Sequence, residues 1–203
     1  MDNILKSIQK YIRKPFNFSP KKSALLVIDM QNFFLDKHSH AYLPMSRKII
    51  PNIQSLINAY HKFGLPVIFT RHALKRGENP GIMKRWWKDV VMDSDTISGI
   101  GKSLNVTKND YVIRKTRYSA FHGTQLEKIL KRNKIERVVV TGVLTHLCCE
   151  TTAREAFIRD FEVFFVADAT ATDNMDLQLS SLKTLSDGFA IPVTTKHILN
   201  KIK

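Results

Sequence analysis

A strand in which every residue is apolar leaves no face for water. Ala24-Leu25-Leu26-Val27-Ile28 is such a run. It calls for a sheet covered on both sides, as in the parallel sheets of α/β domains. Five more short strand-like runs follow, at Pro66–Thr70, Tyr111–Lys115, Arg137–Thr141, Val163–Asp168 and Ile191–Thr194. Helical spacing fills the intervals. Met45, Ile49, Ile50, Ile53, Leu56, Ile57, Tyr60 and Phe63 trace one stripe, with Pro51 tolerable only near its first turn and Gly64 as its stop. A second helix opens on a capping-box pattern, Thr124 with Glu127 three residues on, and presents Leu126, Ile129 and Leu130. A third, from Cys148 to Arg159, buries Ala153, Ala156 and Phe157. A fourth, from Met175 to Ser186, turns Leu179, Leu182 and Leu185 inward and stops at Gly188. Six strands separated by helices predict a doubly wound, mainly parallel six-stranded α/β sheet with helices on both faces. Pro192 places the last strand at an edge.

Residues 1–22 read as a helical arm, with Ile4, Leu5, Ile8, Tyr11 and Ile12 at helical spacing and Pro15 ending the pattern. The arm packs on the body or on another subunit. Residues 23–203 form the single domain that a 203-residue chain accommodates. From Arg71 to about Val106 the pattern is irregular, with Trp86-Trp87 inside it, as in many active-site loops.

Composition narrows the function classes. No apolar run approaches the roughly 20 residues of a membrane span, which predicts no membrane partner. The first 22 residues lack the pattern of a secretory signal, and the two cysteines are adjacent, so they build no disulfide framework. Both point to a reducing cytoplasm. The net charge of +14, from 32 basic and 18 acidic residues, is dispersed in small groups such as Lys21-Lys22, Lys75-Arg76 and Lys131-Arg132. Without a docking motif that charge predicts a solvated basic surface and no specific nucleic-acid partner.

Chemistry concentrates at the strand ends. In doubly wound sheets, ligands bind beyond the C-termini of the strands. Asp29, Lys115 and the turn Leu144-Thr145-His146-Leu147-Cys148 all occupy that edge. A thiol where a helix begins sees unpaired N–H groups and the positive end of the dipole, which favour thiolate. Read alone, Cys148 and Cys149 are equally small core residues.

Together, three stretches resemble the isochorismatase-like cysteine hydrolases, the superfamily of nicotinamidases, N-carbamoylsarcosine amidases and isochorismatases. They are Leu26–Phe34, Lys115-Thr116-Arg117-Tyr118-Ser119-Ala120-Phe121 and Thr141–Cys148, continued by Thr151–Ala156 and Asp168–Ala171. The resemblance implies a catalytic triad of Asp29, Lys115 and Cys148, an oxyanion hole from the backbone N–H groups of Leu144 and Cys148, and a cis Val143-Leu144 peptide. It places Phe33, Trp87, Tyr118 and Leu144 along the pocket, with Arg117 and Thr145 as further substrate-binding candidates. Arg117 either holds a substrate carboxylate or makes a structural ion pair. The implied activity is cofactor-independent hydrolysis of a C–N bond in a small amide or ureido substrate through a Cys thioester, in an enzyme that is a homo-oligomer.

Two departures from the family's patterns bear on substrate. Metal-dependent nicotinamidases carry an Asp and several His after the second strand, whereas Thr70–Gly77 offers only His72, which predicts no metal and argues against a nicotinamidase. True isochorismatases usually have Gly where Cys148 stands, which favours covalent chemistry, yet His146 and Trp86-Trp87 look isochorismatase-like. Vinyl-ether hydrolysis with Asp29 as general acid therefore stays open, as does a non-catalytic basic binding protein. His72, His122 and His146 read as hydrogen-bonded structural residues, because the triad already has its base.

Overall fold

The computed structural model describes residues 2–202. In chain order the elements are α1 (Asp2–Ser7), β1 (Ser23–Ile28), α2 (Asn32–Leu35), α3 (Pro44–Lys62), β2 (Val67–His72), α4 (Ile82–Trp87), β3 (Tyr111–Lys115), α5 (Leu126–Arg132), β4 (Arg137–Val143), α6 (Glu150–Ile158), β5 (Glu162–Ala171), α7 (Met175–Gly188), β6 (Ile191–Val193) and α8 (Thr195–Lys201). The six strands form one sheet, all parallel, in the order β3-β2-β1-β4-β5-β6. The order turns back between β1 and β4. Connections leave those two strands in opposite directions, and a crevice opens at their C-terminal ends.

The two faces of β1 explain its unbroken apolar run. Leu26 and Ile28 join one core with Val138, Val140, Ala153 and Leu182. Leu25 and Val27 join the other with Val139, Ile53, Leu56 and Tyr60. Alternate side chains go to opposite layers, as the period of a strand requires. Pro192 does sit in an edge strand, and β3 is the other edge.

The arm packs on its own body. Ile8 is fully buried in the first core, Ile4, Leu5, Tyr11 and Ile12 pack against it, and the Arg13 N–H donates to the Ser186 carbonyl at 3.3 Å.

Three local expectations are corrected. Pro51 lies well inside α3, not in its first turn, which Pro44 occupies. Pro51 is on the exposed side, where the carbonyl it leaves without a partner, that of Arg47, can take water. Thr124 does not cap α5. Gln125 stands at the cap, Thr124 Oγ1 accepts from the Leu126 N–H at 3.1 Å, and Glu127 pairs with Lys131 and Arg159. Phe157 is exposed and stacks edge-on with Phe189 rather than entering the core.

Gly142, one residue before the end of β4, lies beside Ile28, its partner in register. Its φ is +111°, and a Cβ there would collide with the Ile28 backbone. Only glycine lets the end of β4 come this close to the last residue before Asp29. A register shift against β5 falls at the same point.

Candidate active site

Asp29 follows β1 with φ +47°, a left-handed conformation in which a short polar side chain is tolerated. It is fully buried. Thr70, on neighbouring β2, fixes it twice. Thr70 Oγ1 donates to Asp29 Oδ1 at 2.8 Å and accepts from the Asp29 N–H at 3.2 Å.

Lys115 is the last residue of β3, two strands and about 10 Å away across β2, a gap that its stem and the Asp29 side chain close between them. Its Nζ lies 2.7 Å from Asp29 Oδ2, with both side chains closed to solvent. Nζ also donates to Cys148 Sγ at 3.2 Å and to the Arg117 carbonyl at 3.0 Å. Two of its protons thus meet hydrogen-bond acceptors, and the ammonium pairs with the carboxylate by charge. Burial opposes the ammonium charge, but Asp29 and Cys148 outweigh it and hold the Lys115 pKa above its ordinary value.

The turn that carries the thiol begins at a cis Val143-Leu144 peptide. One π-helical turn, Thr145–Cys149, separates it from α6, and the Cys149 N–H donates to the Leu144 carbonyl at 3.2 Å. Cys148 is therefore in the turn before α6 rather than at its first residue. The expectation of a ready thiolate is corrected. Burial pushes the thiol up to about 12, and the Asp29 charge and hydrogen bond add to it against the pull of Lys115. The resting sulfur is a thiol facing a carboxylate. Cys149 is fully buried with Sγ 3.9 Å from the Thr141 carbonyl, and burial drives its pKa far up. The geometry separates the two cysteines, one beside the ion pair and one in the core.

His72 is paired in register with Lys115. Gln31 clamps its peptide, accepting from the His72 N–H at 2.7 Å and donating Nε2 to the His72 carbonyl at 3.1 Å and to the Ser98 carbonyl at 2.7 Å. Burial, with the charges of Lys115 and Arg117, pushes His72 down to about 4, so the ring is neutral at pH 7. Its Nδ1 is buried without a partner. His146 fits the structural role, with Nδ1 2.8 Å from Thr172 Oγ1, whereas His122 is exposed. Among the described residues, no group of three or more His, Cys, Asp or Glu is placed to share a metal ion.

The other candidates differ in burial and in their contacts. Trp87 Nε1 donates to Tyr118 Oη at 2.6 Å, tying α4 to the segment after β3. Trp86 and Trp87 are 73% and 48% exposed, so neither is a core residue. The Arg117 guanidinium lies against Gly81, at the start of α4, and donates to the Thr116 carbonyl at 2.8 Å. Phe33 meets the rings of Phe34 and His40 edge-on. Thr145 is fully buried, with Oγ1 unpartnered. Sequence reasoning overlooked Thr70 and the clamp made by Gln31. The available signal for Thr70 was a polar residue following Val67-Ile68-Phe69 at the ligand-facing end of a buried strand.

Comparison with known proteins agrees with this geometry. The isochorismatase domain model matches residues 23–197. Nicotinamidase 3 of Arabidopsis thaliana is 41% identical over 187 residues, covering 91% of this chain and 90% of that protein. Enterobactin synthase component B of Escherichia coli (strain K12) is 33% identical over 90% of this chain, which spans 64% of that longer protein. The crystal structure of a cysteine hydrolase from Pseudomonas syringae pv. phaseolicola 1448A superposes with a TM-score of 0.88 at 27% identity, covering 95% of this chain and 96% of that one. By sequence over nearly its whole length and by fold, the chain belongs to the isochorismatase family, as an isochorismatase-like cysteine hydrolase.

Proposed function

We propose that this hydrolase cleaves the C–N bond of a small amide or ureido compound through a thioester at Cys148, with Asp29, Lys115 and Cys148 as its catalytic residues. The observation that carries the reading is the Lys115 ammonium set between Asp29 Oδ2 at 2.7 Å and Cys148 Sγ at 3.2 Å, out of solvent. Chemistry by acid alone would give that sulfur no role.

Asp29 takes the thiol proton as Sγ attacks the carbonyl carbon. The backbone N–H groups of Leu144 and Cys148 receive the oxyanion. Asp29 returns the proton to the leaving nitrogen, the C–N bond breaks, and an acyl thioester remains. Asp29 then draws a proton from water, hydroxide equivalent attacks the thioester, and the thiol re-forms. Lys115 stays protonated and balances the negative charge as it moves between carboxylate, sulfur and oxyanion. Phe33, Trp87, Tyr118 and Thr145 wall the substrate, and Arg117 contacts it.

The 41% identity to a protein named a nicotinamidase brings aromatic carboxamides into the class, despite the single histidine of Thr70–Gly77. The catalytic unit is residues 23–203, with residues 1–22 an accessory arm. Two free cysteines support a cytoplasmic setting, and exposed Ile82, Trp86 and Ile158 support a homo-oligomer.

Acid quench of the enzyme during amide turnover, followed by mass spectrometry, should find one acyl group, on Cys148. Hydroxylamine should divert the acyl group to a hydroxamate. Turnover with neither adduct nor hydroxamate would overturn the thioester.

A further inference from the structure

The pairing of β1 with β2 stops short of the site. It ends at Val27 and Phe69, whereas β1 continues beside β4 to Ile28 and Gly142, and β2 continues beside β3 to His72 and Lys115. Asp29 leaves the ladder through its left-handed turn. Among the described residues, no β1 residue is in register with the last residues of β2. The N–H and carbonyl of His72 must find other partners.

A side chain takes the place of the missing strand. The Gln31 amide accepts from the His72 N–H and donates to the His72 carbonyl, the two bonds that a neighbouring strand would make. Its other amide proton goes to the Ser98 carbonyl, and the residue is only 1% exposed. The backbone that carries this side chain is fastened as well. The Gln31 N–H donates to the Asp29 carbonyl at 2.7 Å, and Gln31 forms an antiparallel bridge with Ile100. On either side, the Met30 carbonyl accepts from the Gly101 N–H and the Asn32 N–H donates to the Gly99 carbonyl, both at 2.9 Å.

Gln31 thus ties the segment that carries Asp29 to the end of β2. That end is joined in turn to β3. His72 is the register partner of Lys115, and the Ala73 N–H donates to the Lys115 carbonyl at 3.1 Å. A shift of the His72 peptide would carry the Lys115 backbone with it.

We infer that Gln31 is a positioning residue: by gripping the His72 peptide it sets where the Lys115 ammonium stands relative to Asp29 and Cys148. The inference rests on the C–N hydrolase reading and adds to it a residue that acts through Lys115.

Gln31→Met keeps the length of the side chain and loses its three bonds. Its kcat should fall about 10-fold to 100-fold, the effect of a displacement of about 1 Å, with KM changed by less than about threefold. Gln31→Glu has no proton to donate while ionised, but its acid form offers a carbonyl and one O–H. Carbonyl oxygens around it favour the acid form, so its activity relative to the unmodified enzyme should rise as the pH falls from about 8 to about 6. Asn52→Leu is the control. It removes a bond from Asn52 Nδ2 to the Asp168 carbonyl at 2.6 Å, between α3 and β5. It should lower Tm and leave kcat within about twofold. Unchanged kcat in Gln31→Met, or a raised KM at constant kcat, overturns the positioning role. If Gln31→Met does not fold, the pH trend of Gln31→Glu decides, and a flat ratio overturns it.

A second readout needs no turnover. Burial holds the Cys148 thiol up and Lys115 pulls it down, so a displaced ammonium makes the sulfur less reactive. Alkylation of Cys148 by iodoacetamide, followed by mass spectrometry, should slow about tenfold in Gln31→Met. Equal rates overturn the proposal. If the unmodified enzyme hydrolyses no amide, the C–N hydrolase reading fails by itself, and the alkylation rates still decide the role of Gln31.

Discussion

Cys148→Ala lowers C–N bond hydrolysis by roughly 10⁴-fold or more, as expected when a member of a concerted catalytic group is removed, and leaves the fold intact. The side chain is small and the Asp29–Lys115 pair survives without it. Asp29→Asn falls by a comparable factor, because a thiol held near pKa 12 does not ionise at neutral pH without a base beside it, and an amide accepts no proton. The two changes are not additive: the double variant is no slower than the worse single one. Ammonia release, with circular dichroism as a folding control, measures all three. Retained turnover in Cys148→Ala with loss in Asp29→Asn would instead identify acid-catalysed chemistry without a covalent step.

Lys115→Met has the largest expected effect on stability. It strands a fully buried Asp29 carboxylate, and breaking a buried pair costs about 3–5 kcal/mol. For a chain of this size that is a fall in Tm of about 6–20 °C. Adding Asp29→Asn removes the stranded charge and recovers part of the loss, although the enzyme stays inactive. The pH dependence has a defined sign. The Lys115 pKa is raised in the folded state, so its stabilisation is complete below the unfolded value of 10.5 and is lost as pH rises through the folded one. Cys148 is an acid raised from 9.0 to about 12, so above pH 9.0 the unfolded chain releases a proton that the folded chain keeps. Both terms weaken the fold in alkali, and Lys115→Met should make that decline shallower in thermal melts from pH 8 to about 11. An unchanged Tm in Lys115→Met would contradict the ion pair.

How much was legible in the sequence depended on whether the deciding force was local. Apolar runs define strands through burial on both faces, so Tyr111–Lys115 was read at its observed bounds and β6 at its edge. Asp29, Lys115 and Cys148 were legible because each stands at a strand end on one side of a parallel sheet. Helix α4 was not, since it is six residues long and buries none of them, leaving no stripe to detect. The capping pattern at Thr124 failed because Glu127 had better partners in Lys131 and Arg159. The ionisation state of Cys148 was misjudged for a related reason. A helix dipole can be inferred from order along the chain, whereas desolvation depends on everything that closes over the sulfur.

Lys115 belongs to β3, a border strand with a partner on one side alone, whereas Asp29 and Cys148 are carried by the two strands at the middle of the sheet. Border strands detach at lower free energy than central ones. The catalytic group thus spans the firmest and the loosest parts of one sheet, and peeling of the border strand withdraws the ammonium while the centre is still whole. Mild heat or denaturant should therefore silence this enzyme before it melts.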